Sequence, residues 1–152
     1  MGKDKPKVQV ILEAVFSNAI DKLMKADSGQ VISALYVQLD MGIGEVLVYD
    51  DREILLEKNV IFEWAEQAAQ NPRIYRQAIH FIRVSLASLR TRRVFDNPLF
   101  MLPFKITIVD DNFNEIETVF AIDGVDGFSE SGRLMKNYEQ ELQLFYKKIF
   151  AE

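Results

Sequence analysis

The carboxylate and imidazole groups that could serve as general acids or bases in this chain are 23 carboxylates and one histidine, and the sequence contains no cysteine. The lack of cysteine rules out a disulfide framework, a thiolate zinc site and thiol-dependent catalysis. A Ser/His/Asp triad would have to use His80. The helical pattern places His80 on a polar face within one turn of Arg76 and Arg83, whose charges keep an imidazole neutral. We therefore expect a solvated or hydrogen-bonded surface histidine, and an enzyme is the third hypothesis, behind a protein-binding module and anion or nucleic-acid binding.

The spacing of the carboxylates does not single out a metal or cofactor site. Side-chain oxygens alternate along residues 110–114 as in a calcium loop, but Glu115 stands where that loop needs glycine and Ala121 where it needs glutamate. Asp and Asn also favour hairpin turns, which is the structure we predict here. The pair Gly42 and Gly44 lacks the third glycine of a dinucleotide-binding loop and is predicted to form a turn. We predict no metal and no cofactor.

A segment rich in arginine is the strongest candidate for a binding surface. From residue 67 to residue 95 there is no acidic residue, so this segment carries +6 and the rest of the chain -11, which together give the net charge of -5. Three of its arginines repeat every seven residues and should form a stripe along one helix, about 10 Å apart. Arginine's planar group suits carboxylate or phosphate partners. The six candidate binding residues are Arg73, Arg76, Arg83, Arg90, Arg92 and Arg93.

Three interpretations of these arginines remain open from the sequence. They could pair with acids of a neighbouring element, such as Glu139 and Glu141 or Glu115 and Glu117. They could dock an acidic segment of a partner protein. They could bind a small anion or nucleic acid through the helix predicted over residues 72–93. Nucleic acid is the least favoured partner, because no exposed aromatic residues interleave with the arginines and the rest of the chain is acidic.

An apolar link over residues 94–104 is the second candidate. Seven of its eleven residues are large and apolar, and its two prolines exclude a regular helix or a central strand. It could be a crossover that covers the core, or a partner groove or dimer contact. Residues 46–49 are apolar on both faces, which predicts a central strand covered on both sides; too few helices to cover it would favour a homodimer. The predicted contact residues of the link are Phe95, Leu99, Phe100, Met101 and Leu102.

Hydrophobic periodicity and turn signals predict the element order αβββ-αα-ββ-α. We predict an α+β fold with a mostly antiparallel five-stranded sheet, made of a three-strand meander plus a hairpin and packed with helices. Residues 1–6 are predicted to be a flexible tail and residues 7–152 a single domain. The predicted elements are a helix from Pro6 to Gly29, strands over 30–39, 46–49 and 53–57, a short helix capped by Asn59, a helix over 72–93, strands over 104–109 and 115–123, and a last helix after Ser129 or Ser131.

Alternation of apolar residues predicts the register of the second hairpin. Phe104, Ile106 and Ile108 should share a face with Ile116, Phe120 and Ile122, so the numbers of paired residues should sum to an even value. The last helix should present a core stripe of its own. That stripe comprises Leu134, Tyr138, Leu142, Phe145 and Ile149.

Compartment and element order lead to the working hypothesis. No apolar run approaches the length of a signal-peptide core or a membrane span, so we expect a cytoplasmic protein without membrane contact. The element order is similar in outline to that of small secretion-chaperone-like folds. We therefore predict a non-enzymatic, chaperone-like module that binds an acidic or apolar protein segment and is compatible with a homodimer. Anion or nucleic-acid binding by the arginine-rich helix is the alternative.

Overall fold

The computed structural model describes residues 5–26 and 30–123, and the predicted last helix lies outside these ranges. The element order agrees with the prediction as far as the described residues extend. The elements are α1 (Lys7–Lys25), β1 (Ile32–Asp40), β2 (Glu45–Tyr49), β3 (Leu55–Val60), α2 (Phe62–Gln67), α3 (Ile74–Thr91), β4 (Phe100–Val109) and β5 (Glu115–Ile122).

The five strands form one mixed sheet in the order β3-β2-β1-β4-β5. The predicted α+β class is confirmed, but the prediction of a mostly antiparallel sheet is wrong at its centre, where β1 pairs in parallel with β4. Parallel neighbours need a long crossover, and the chain from β3 to β4 provides one through α2 and α3. Turn signals indicate only which consecutive strands form hairpins. They could not show that the β4–β5 hairpin joins the β1–β2–β3 meander at β1.

Strand β2 is an interior strand, with β3 on one side and β1 on the other, and β1 is the middle strand of the five. The helix-facing side of β2 is buried at Val46 and Val48, whereas Leu47 and Tyr49 on its other side are half-buried. Strand β3 extends as far as Val60, which pairs with Glu45. The prediction that Asn59 caps a helix is thus wrong, because full-length pairing with β2 draws that residue into the sheet and α2 begins three residues later.

Helices α1 and α3 pack together over one face of the sheet. Leu12, Phe16 and Ile20 of α1 and Ile82 and Leu86 of α3 are buried in a single apolar cluster. Each such side chain contributes about 1.5–3 kcal/mol when it leaves water. This layer holds α3 against the sheet and determines which of its sides can reach a partner. Among the described residues, no helix is long and apolar enough to cross a membrane.

Two of the three described hairpins, β2–β3 and β4–β5, turn through the same five-residue motif. Asp110 Oδ1 accepts hydrogen bonds from the backbone N–H groups of Asn112 and Asn114, and Asp50 Oδ1 accepts the equivalent bonds two and four residues ahead. The fourth residue of each turn has a positive φ, 65° at Glu53 and 63° at Phe113. Residues 110–114 therefore form the predicted turn, and its first carboxylate is occupied by backbone donors.

The register of β4 and β5 departs from the prediction at a β-bulge. Phe104 pairs with Ile122 and Ile106 with Phe120, as the even-sum rule requires. Between Ile106 and Thr107 the register shifts, and Ile108 then lies opposite Glu117. A bulge inserts one extra residue and reverses the faces of the residues beyond it. A second register shift, between Ile108 and Val109, leaves Ile116 without a paired residue on β4. The predicted inward position of Ile116 is wrong, since this side chain is 52% exposed.

Candidate functional site

The bulge in β5 brings Glu117 to the arginines of α3. Because paired residues of antiparallel strands share a face, Glu117 lies on the same side of the sheet as Ile108, towards the helices. Arg76 donates from Nη1 to Glu117 Oε1 at 3.0 Å, and Arg83 donates from Nη2 to the second carboxylate oxygen. One carboxylate thus joins two of the three arginines that repeat every seven residues. Pairing with Glu117 was among the open interpretations of the sequence.

The ion pairs hold Glu117 in its charged form. Burial opposes ionisation of this carboxyl group, but the hydrogen bonds from Arg83 and Arg76 outweigh burial and keep its pKa below the ordinary value. The two arginines differ in exposure: the Arg76 side chain is 69% exposed and that of Arg83 is 28% exposed. Arg83 is therefore the partner that depends most on Glu117.

Replacing Glu117 with Gln should lower the free energy of unfolding by about 1–2 kcal/mol, because the two guanidinium groups lose their shared counter-charge while Arg83 stays partly buried. Urea denaturation of the wild type, E117Q, R83M and the double variant measures this and isolates the coupling with Arg83. The matched control is E115Q, since Glu115 lies 3.7 Å from Lys105 with both side chains about half exposed. We expect the control to change stability by less than about 0.5 kcal/mol. Equal losses in E117Q and E115Q would contradict the role of Glu117 as a shared counter-ion.

A second acidic residue, Glu13 of α1, meets the carboxyl end of α3. Arg92 donates from Nη2 to Glu13 Oε1 at 2.8 Å, and Lys5 and Gln9 donate to the same carboxylate. Burial raises the pKa of Glu13, but hydrogen bonds from Lys5, Gln9 and Ser88 outweigh it and lower the pKa. The sequence pattern places Glu13 on the solvent side of α1, whereas the structure buries it under these donors. Only the pairing of α1 with α3 reveals its role.

The remaining arginines have weaker internal contacts. The guanidinium group of Arg90 lies 5.9 Å from the centre of the Phe120 ring, within reach of a cation–π contact. Arg93 lies 3.9 Å from Asp96, and its side chain is 84% exposed. Arg73 lies exposed immediately before the first turn of α3.

The internal acids neutralise the arginine-rich segment only in part. Among the described residues, the six arginines and Lys5 share the three carboxylates of Glu13, Asp96 and Glu117, which leaves four positive charges in excess. At the end of α3, where the apolar link begins, the Arg93 side chain is 84% exposed and that of Arg92 is 54% exposed. This end keeps the capacity to attract an acidic group.

His80 is buried in α3, so the prediction of a solvated surface histidine is wrong. The helix is covered over more of its circumference than its amphipathic pattern indicates, since Val84 and Ser85 are buried as well. The predicted neutrality of the ring agrees with the direction of its pKa, which burial lowers first and the charge of Arg83 lowers further.

The apolar link divides into a buried part and an exposed part. Phe95 and Phe100 join Phe104 and Phe120 in an aromatic cluster, in which the Phe95 ring centre lies 5.4 Å from that of Phe100 and 4.7 Å from that of Phe120. The first two are therefore core residues, and Leu99 is half-buried. The link acts as a core-covering crossover at these positions.

Four exposed apolar side chains surround the rest of the link, and we call them the apolar rim. They are 44–52% exposed and come from α1, the residue before β1, and β4. The pairing of β4 with β1 is interrupted here. Ile32 pairs with Phe100, and the next pair is Ala34 with Lys105, so Met101 and Leu102 lie in a stretch of β4 without partners on β1. The side-chain amide of Asn97 lies 3.9 Å from the sulfur of Met24 in α1. The backbone N–H of Ile32 donates to the backbone carbonyl of Leu99. The apolar rim comprises Met24, Val31, Met101 and Leu102.

Comparison with known proteins yields no relative: no protein-family model, no curated protein and no solved structure matches this chain. Within residues 5–26 and 30–123, there is also no group of three or more His, Asp or Glu side chains placed to hold a metal ion. The candidate site is thus defined by its geometry alone, as an exposed apolar surface around the link and an excess of positive charge around α3.

Proposed function

We propose that this chain is a non-enzymatic protein-interaction module, with a chaperone-like capacity to hold a segment of another protein over the apolar rim. The observation that carries the proposal is the exposure of four large apolar side chains, supplied by three elements, around one link. Grouped apolar side chains on a soluble surface are typical of protein interaction sites. Thioether side chains such as Met24 and Met101 adapt their shape to different partners.

The charge at the start of the apolar link supports a partner that carries acidic residues as well as apolar ones. Arg92 and Arg93 immediately precede the link, and their side chains are 54% and 84% exposed. Positive charge at the margin of an apolar contact steers an acidic partner and rejects a basic one. We therefore propose that the bound segment is apolar at its centre and acidic at one end.

Site-specific photo-crosslinking tests this proposal. A photoreactive amino acid replaces Leu102 in the rim, and a matched control carries it at Ile116, which is similarly exposed but lies on β5. We expect cross-linked adducts from cell extract at position 102, lost when Met101 and Met24 are changed to Ser, and few at position 116. Equal adducts at both positions, or none at position 102, would overturn the proposal. Adducts at twice the chain mass would identify a second copy of the chain as the occupant.

Anion or nucleic-acid binding is the second candidate, and the excess positive charge around α3 favours it. Direct contacts with phosphate release counterions, so affinity would fall steeply with salt. Filter binding of a labelled oligonucleotide over a salt series distinguishes the two proposals. A steep slope that R92E and R93E flatten supports phosphate binding, and a flat response excludes it.

A further inference from the structure

A cluster of three aromatic rings lies on the face of the sheet away from α1 and α3. Tyr36 of β1 and Tyr49 of β2 are direct cross-strand partners, whereas their neighbours Val37 and Val48 are buried on the helix side. Phe113 reaches this face from the turn between β4 and β5. All three rings are half-buried, and we call them the aromatic face.

The geometry of the aromatic face is held from two directions. The Phe113 ring centre lies 5.0 Å from that of Tyr49 and 6.2 Å from that of Tyr36, and its plane is nearly perpendicular to both, at 79° and 78°. Tyr49 Oη donates to Gln38 Oε1 at 2.9 Å, and Gln38 Nε2 donates to the backbone carbonyl of Asp110 at 3.1 Å. These two hydrogen bonds therefore connect β1 and β2 to the turn that carries Phe113.

An open groove runs along one side of the aromatic face. Its volume is about 690 Å³, and Tyr36, Ser33 and Asp51 contribute to its wall. One oxygen of the Asp51 carboxylate accepts a hydrogen bond from the backbone N–H of Ser33 at 3.0 Å, which fixes the carboxylate at the groove. Arg52 also lines the groove and is the cation of the wall.

Carboxylates surround the rings. Burial is the largest cause of the raised pKa of Tyr36, and the charges of Glu115, Asp51 and Glu53 raise it further. Burial and then the charges of Glu45 and Asp111 raise the pKa of Tyr49. Against these five carboxylates stand Arg52 in the groove, Lys105, which lies 3.7 Å from Glu115, and Lys58, which pairs with Leu47 on this side of β2. The aromatic face is thus set in a negative environment, on the side of the sheet opposite to the arginine-rich helix.

We propose that the aromatic face is a second docking surface, which receives an arginine side chain from a segment of a partner protein. The face of an aromatic ring attracts a cation, and the surrounding carboxylates supply its counter-charge. Arginine fits better than lysine, because its planar group stacks on a ring and is less strongly hydrated. The groove also includes Val31 of the apolar rim, so the two surfaces adjoin. The proposal rests on the three rings and their carboxylates, and its test uses residues outside the rim.

NMR titration of the full chain tests the proposal with short blocked peptides as probes. Acetyl-Gly-Arg-Gly-amide should give saturable shifts in the amide signals of Tyr36, Tyr49 and Phe113. Its lysine and glutamine analogues should bind more weakly. A glutamine analogue that shifts the same signals equally would overturn the role of charge, and an equal response to lysine would overturn the choice of arginine.

Variants of the surface complete the test. The double variant E53Q/E115Q and the variant Y36L should each weaken binding of the arginine peptide about threefold or more. The matched control is E63Q/E66Q, which removes two carboxylates from α2 and should leave binding unchanged. An equal loss in the control would show that only net charge matters and would overturn the site. Analytical ultracentrifugation tests for self-association of the chain. Self-association that both Y36L and R76Q abolish would assign the aromatic face to a second copy of this chain instead of a different partner protein.

Discussion

Replacing Phe95 with Ala should lower the free energy of unfolding by about 3–5 kcal/mol, the range for removal of a buried phenylalanine ring. The Phe95 side chain is 4% exposed. Its ring centre lies within 6 Å of the ring centres of Phe100, Phe104 and Phe120, so the substitution opens a cavity between α3, β4 and β5. Guanidinium denaturation followed by circular dichroism measures the loss through the shift of the midpoint.

The matched substitution is Met101→Ala in the exposed part of the same link. Met101 is 50% exposed, and we expect its removal to change stability by less than about 1 kcal/mol. The contrast separates the two roles that the sequence left open for this segment: a core cover at Phe95 and a free surface at Met101. A small effect of F95A, or equal effects of the two substitutions, would place Phe95 on the surface and contradict the observed packing.

Replacing Gly44 with Ala should lower the free energy of unfolding by about 2–4 kcal/mol, because two separate costs coincide there. Gly44 has a φ of 72°, a conformation that side chains with a Cβ rarely adopt. A Cβ at this position would lie 2.4 Å from the backbone oxygen of Ile61 and 3.1 Å from the backbone nitrogen of Ala65. Neither is the movable end of a side chain, so the start of α2 would have to shift.

The position of Gly44 explains why the shift is costly. Its carbonyl accepts a hydrogen bond of 2.7 Å from the backbone N–H of Ile61, which ties the turn between β1 and β2 to the residue before α2. The control is Gly42→Ala in the same turn, where the nearest atom to an added Cβ is the Asp40 side-chain oxygen at 3.4 Å. We expect G42A to stay within about 1 kcal/mol of the wild type. Thermal unfolding of both variants tests this, and equal destabilisation would refute the close approach.

Local sequence signals predicted the elements but not their assembly. The periodicity of α3 and the Asp-rich turn at residues 110–114 depend on neighbours a few residues away, and both appear in the structure. The parallel pairing of β1 with β4 depends on the path of two helices and a link, for which no short motif exists.

The candidate site shows the same division. Clustering of six arginines in a segment without acids is visible in the sequence, and so is the apolar character of the link. Alternation alone placed Glu117 on the solvent face and Ile116 in the core. One extra residue in β5 turns Glu117 to the helix side, where it reaches Arg76 and Arg83, and a second register shift leaves Ile116 unpaired. A bulge is decided by strand packing and leaves no periodic signal of its own.

The sequence by itself determined the α+β class, the order of the described elements, the turn motif at Asp110 and the separation of charge between α3 and the rest of the chain. These properties follow from composition and from interactions between residues close along the chain. The tertiary structure decided which acids neutralise which arginines, that Phe95 and Phe100 are core while Met101 and Leu102 are surface, and that His80 is buried. Such properties depend on which distant elements pack together, and packing free energy is gained only when those elements meet.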